Sequence, residues 1–145
     1  KEMVPDEAGY RKAVHPWYKN SWIRKVLQEL SNEGFNVIMT SDHGSVMVND
    51  SAIVAADKNS SSGVRYKYGV NINSPDKKAI DVRNLKDYRL PDLGARINYL
   101  IAKQNFFFLY PNEQRKYKKL LQNSFQHGGI SIEEMLVPIF TMKPK

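Results

Sequence analysis

The sequence predicts an α/β domain, and three observations carry that expectation. A helix-forming segment that ends at Gly34 runs directly into the almost wholly apolar residues 35–40, which together make half of a βαβ unit. A second apolar run, residues 106–110, is halted by Pro111 and followed by a basic amphipathic segment. No Gly/Ser-rich or Pro-rich linker separates the two, so the alternation of buried strands and amphipathic helices is read as one unit.

Taken in order, residues 1–19 mix turn formers with aromatics (Pro5, Gly9, Tyr10, Pro16, Trp17) at neither regular period and are expected to form an irregular connection. Asn20 or Ser21 can cap a helix in which Trp22, Ile23, Val26, Leu27 and Leu30 recur at helical spacing, with Gly34 as its left-handed stop. Residues 35–40 are β-rich and apolar at successive positions, the pattern of a strand buried on both faces. Val46, Val48, Ile53 and Val54 around Asn49-Asp50 predict a hairpin or a bent strand pair. Residues 58–63 have no apolar anchor and read as a polar loop.

Further on, residues 79–82 are a short strand, residues 90–94 (Leu-Pro-Asp-Leu-Gly) a turn, and residues 97–102 and 106–110 apolar segments, the second a buried strand. The triple Phe106-Phe107-Phe108 is core, since a stacking platform for bases needs exposed aromatics interleaved with charge. Residues 113–125 are expected to be one helix, with Arg115, Lys116, Lys118 and Lys119 opposite Tyr117, Leu120, Leu121 and Phe125. A loop at His127-Gly128-Gly129 leads to Ser131, whose spacing from Glu134 fits a capping box. Pro138 interrupts the apolar residues 135–142 that follow.

Composition narrows the function classes. The chain carries 22 Lys or Arg against 15 Asp or Glu, for a formal net charge of +7, and its 41% hydrophobic content is enough to build a core. The absence of Cys removes thiol and disulfide chemistry. No apolar run approaches the ~18–20 residues of a bilayer span, so membrane insertion is not expected. The positive charge favours phosphate-bearing partners. Because the chain starts at Lys1 without an initiator Met, it is read as processed or cut from something longer.

Chemistry concentrates at Thr40-Ser41-Asp42-His43-Gly44, directly after the first apolar strand, where an open α/β sheet places its ligands. Asp42 and His43 can ligate a metal through oxygen and nitrogen, and Gly44 lets the backbone turn sharply away; the same pentapeptide is also ordinary turn chemistry. His127-Gly128-Gly129 permits close approach of backbone to a bound group, or simply a tight turn. His15 lacks a carboxylate or glycine frame and reads as a packing or surface residue.

These two motifs, residues 40–44 and residues 125–138 (Phe-Gln-His-Gly-Gly-Ile-Ser-Ile-Glu-Glu-Met through Pro138), resemble the PglZ branch of the alkaline phosphatase superfamily, and within it PorX-type response regulators. Arg65-Tyr66-Lys67 with Gly69, and Tyr110-Pro111-Asn112, add to the resemblance, which runs from Gly9 to Lys145. It implies a mainly parallel sheet between helix layers and a two-metal, zinc-dependent phosphoesterase or phosphodiesterase core. Asp42 and His43 would bind one zinc and His127 the other, with Arg65 and Lys67 as phosphate contacts. A Thr or Ser nucleophile and further acidic ligands are expected upstream, so residues 1–145 are expected to be the C-terminal portion of the domain, with weak metal affinity and no turnover alone.

The same resemblance implies a cytoplasmic two-component regulator of type IX secretion, with a receiver domain ahead of the PglZ domain and a homodimer formed through the full-length protein. Its substrates would be phosphate esters, nucleotides or oligonucleotides among them. The alternative is a non-catalytic, metal-stabilised signalling module. Duplex nucleic acid binding through residues 113–125 is motivated by charge alone and is not expected.

Overall fold

Asp6 opens the first helix: its Oδ1 accepts the Gly9 amide at 2.6 Å, and α1 (Glu7–Asn20) follows. The computed structural model describes residues 6–56 and 60–144, so part of the expected polar loop, residues 58 and 59, lies outside the described residues. The irregular connection expected over residues 1–19 is corrected to a helix from Glu7 onward, and residues 1–5 of it lie outside the described residues. Its cap and its Glu7–Arg11 pair one turn apart favour the helix, and Pro16 is accommodated in its interior at the cost of a hydrogen bond. Ser21 separates it from α2 (Trp22–Asn32), the helix expected from the apolar spacing, and Gly34 stands at φ +81°. At that angle an L side chain would be strained.

The chain divides into two compact units, Lys1–Asp42 with Val137–Lys145, and His43–Leu136. In the first, β1 (Val37–Thr40) pairs antiparallel with β9 (Ile139–Met142) in the register Val37↔Met142, and the Thr40 hydroxyl donates to the Pro138 carbonyl at 2.8 Å. The strand is where the sequence placed it, but it is not buried on both faces: Ile38 is 70% and Ile139 72% exposed. A two-stranded ribbon has too few neighbours to cover both its faces. None of the described residues of this unit is buried.

The second unit holds the core. Here β2 (Val46–Val48) and β3 (Asp50–Ile53) are separated by Asn49 alone yet take different partners, so no hairpin forms at Asn49-Asp50. Strand β2 pairs antiparallel with β8 (Ser124–Gln126), and β3 pairs parallel with β7 (Phe106–Leu109). The central strand β6 (Ile97–Ala102) is flanked antiparallel by β4 (Tyr66–Val70) and β5 (Ala79–Val82). The sheets are thus small and mixed, with one parallel pair among the named strands, where a mainly parallel sheet was expected.

Val48, Phe107 and Leu109 form a buried cluster against Tyr117 and Leu121 of α3 (Gln114–Leu121). Ala52, Val54, Ile72, Leu100, Ala102 and Phe108 form another. The expected helix over 113–125 is shorter than its pattern: it ends at Leu121, Asn123 turns the chain at φ +57°, and Phe125 lies in β8. The short helix α4 (Ile132–Met135) carries the capping box foreseen from Ser131 and Glu134. No helix of the described residues is long and apolar enough to cross a membrane.

Phe108 is 2% exposed and Phe140 is 55% exposed. Phe108→Ala should cost ~3–5 kcal/mol in urea denaturation, and Phe140→Ala less than ~1 kcal/mol. Equal costs would show that the core is not where the structure puts it.

Candidate metal centre

Antiparallel pairing of β2 with β8 is what brings two distant histidines together. The register runs Val48↔Ser124, Met47↔Phe125, Val46↔Gln126, so one step further places His127 across from Ser45, two residues from His43. The rings stack, with centroids 3.9 Å apart and planes 17° from parallel. Both residues are exposed. His43 Nδ1 lies 2.8 Å from the Gly44 carbonyl oxygen. A carbonyl only accepts, so Nδ1 carries the proton of the neutral ring and Nε2 the lone pair that a metal would take.

Asp42 is exposed and is the last residue of the first unit, whereas His43 and His127 belong to the second. Among the described residues no three His, Cys, Asp or Glu side chains cluster as a metal site. Among the described residues, the stacked imidazoles of His43 and His127 are the candidate donors that the second unit brings together.

Residues that sequence reasoning did not single out as functional hold these loops. Glu134 is 4% exposed and is bonded at every oxygen it has. Its Oε1 accepts Arg65 Nε at 2.9 Å and the Gly129 amide at 2.8 Å. Its Oε2 accepts an Arg65 terminal nitrogen at 2.8 Å and the Ser131 amide at 3.2 Å. Its backbone carbonyl accepts the Gly44 amide at 2.9 Å. The capping-box spacing was the one signal in the sequence that pointed to Glu134.

The glycines follow from this packing. A Cβ on Gly129 would stand 2.5 Å from Glu134 Oε2 and 2.7 Å from an Arg65 nitrogen, and a Cβ on Gly44 would collide with the Glu133 carbonyl. Gly128 takes φ +100° against the Tyr66 ring. Neither motif tolerates a larger residue at these positions.

Arg65 and Lys67, expected as phosphate contacts, lie inside the second unit at 0% and 2% exposure. Arg65 spends its guanidinium on Glu134 and on the Phe106 carbonyl. Lys67 donates to the Ser61 carbonyl at 3.0 Å and to the Tyr110 hydroxyl at 3.2 Å, with its ammonium over the Tyr110 ring. A phosphate contact by either cation would require breaking these buried bonds first.

Residues 1–142 match the family described as the BREX system PglZ alkaline phosphatase-like domain. The class is thus an alkaline-phosphatase-like domain with mixed strands and helices. Within that class, the chain belongs to the PglZ family. No curated protein matches it.

Burial pushes the Glu134 carboxyl up, but the Arg65 guanidinium and the Gly129 and Ser131 amides outweigh that and hold it at about 2, against an ordinary 4.5. A carboxylate depressed in this way contributes stability that is complete above pH 4.5 and is lost as pH falls toward 2. Asp50, also held at about 2, by Lys78 foremost, titrates over a similar range, and Glu134 is not among the groups that shift it. In denaturation series from pH 5 to 2, Glu134→Gln should lose less stability with acidification than the native chain. Parallel curves would show that the pair does not shift Glu134.

Proposed function

We propose that this chain supplies one side of a two-metal phosphoesterase centre of PglZ type, with His43 on one ion and His127 on the other. The stacked imidazoles carry the reading. Ring-nitrogen lone pairs lie in the ring plane, and planes 17° from parallel with centroids 3.9 Å apart do not converge on one ion at a Zn–N distance of ~2.0–2.1 Å. The same separation suits two ions ~3.5–4 Å apart, each taking one ring. Imidazole donors are apt for zinc, and Asp42, adjacent in sequence to His43, is the expected oxygen ligand of the first ion.

When bound, such a pair of ions polarises phosphoryl oxygens and stabilises the attacking and leaving oxygens of an in-line displacement. This chain's own contribution is orientation. The His43 Nδ1 bond to Gly44 selects the ligating nitrogen, and the Gly44 and Gly128-Gly129 turns bring backbone close without side-chain bulk. Two ions with one imidazole each need further oxygen ligands and a nucleophile. We assign these to sequence outside residues 1–145, a reading that accords with the apolar faces of β1 and β9 left exposed in the first unit.

We also place the full-length protein among PorX-type response regulators, on Arg65-Tyr66-Lys67, Gly69 and Tyr110-Pro111-Asn112. Its substrates would then be phosphate esters, including nucleotides, hydrolysed in the cytoplasm. The net charge of +7 favours anionic substrates.

Hydrolysis of a nitrophenyl phosphodiester by the full-length protein with added zinc tests the reading. His43→Ala and His127→Ala should each lower the rate by at least ~100-fold, consistent with loss of a ligand in a two-metal site. A rate that survives loss of both Asp42 and His127 rules it out.

A further inference from the structure

The two histidines stand exposed on their turns, and their rings stack. Glu134 is the residue that touches both loops beneath them. Its main-chain carbonyl takes the Gly44 amide, directly after His43, and its carboxylate takes the Gly129 and Ser131 amides, on the loop that follows His127. Arg65 anchors that carboxylate side-on through two nitrogens and is itself tied to the Phe106 carbonyl on β7. A line of hydrogen bonds thus runs from a core strand through Arg65 to Glu134 and out to both histidine-bearing turns.

We propose that Glu134 is a positioning residue that sets the spacing of His43 and His127, and that Arg65 acts through it. In its metal-binding part the proposal rests on the two-metal reading above; in its geometric part it stands on the chain's own hydrogen bonds. A bidentate arginine fixes a carboxylate in orientation as well as in place. With both oxygens oriented, the two amide acceptors have fixed positions, and the Gly129 backbone is packed against the pair with no room for a Cβ. The loops cannot then separate or slide without breaking amide bonds to a buried carboxylate, which is costly. The role of Arg65 is therefore to hold the geometry of the metal ligands.

The metal-free full-length protein gives the first test. An NMR contact between the His43 and His127 ring protons is expected in the native protein. It should be lost in Glu134→Gln, and Arg65→Lys, which keeps the charge without the fork, should weaken it. Ser131→Pro is the second variant if Glu134→Gln fails to fold. It deletes one amide donor to the carboxylate, and the Ser131 hydroxyl with it, at a residue whose φ of −69° suits proline, and it leaves the ion pair whole.

Cobalt(II) titration gives the second test. The folded variants should bind ~10–100-fold more weakly than the native protein, the size typical of lost outer-shell partners. If the ring contact and the cobalt affinity are both unchanged in a folded Glu134→Gln or Ser131→Pro protein, the proposal is overturned. If the native protein shows the ring contact but binds no cobalt, the two-metal reading fails, and the ring contact alone decides the role of Glu134.

Discussion

Burying the Arg65 guanidinium with the Glu134 carboxylate costs each ion its hydration, a penalty of several kcal/mol per charge that their attraction offsets only when the remaining bonds are also satisfied. Here they are. The carboxylate collects two guanidinium bonds and two amide bonds, and the guanidinium also reaches the Phe106 carbonyl. An apolar replacement could stabilise the core as well, but it could not accept amides from the histidine-bearing loop. The polar pair is retained, on this account, for the geometry it imposes rather than for net stability.

That constraint explains the contrast between the rigid underside of the centre and its exposed rings. Strands β2 and β7 are buried through Val48, Phe107 and Leu109 and provide the platform. His43 and His127 stand exposed on the turns before β2 and after β8. Three lysines of the second unit are committed elsewhere: Lys78 and Lys118 both pair with Asp50, and Lys67 is held by Ser61 and Tyr110.

Elements with a strong local signal were legible in the sequence. The apolar spacing of Trp22 to Leu30 marked α2, residues 79–82 coincide with β5, and the Ser131–Glu134 spacing marked the capping box. Local signals also misled. Pro16 obscured a helix that Asp6 caps, and an amphipathic pattern continued to Phe125 although Asn123 had already turned the chain. Strand pairing was not legible at all, because Asn49 separates two strands whose partners lie far along the chain. The histidines could be named from their motifs, but their stacking depends on the β2–β8 register. Arg65 looked like a surface phosphate ligand because nothing local shows that its partner sits 69 residues away.

On the two-metal proposal, the two imidazoles serve two ions rather than one. Electron paramagnetic resonance of the cobalt-loaded full-length protein tests it most directly. Two magnetically coupled ions are expected, reduced to a single uncoupled ion in His127→Ala. One mononuclear ion ligated by both His43 and His127 would contradict it.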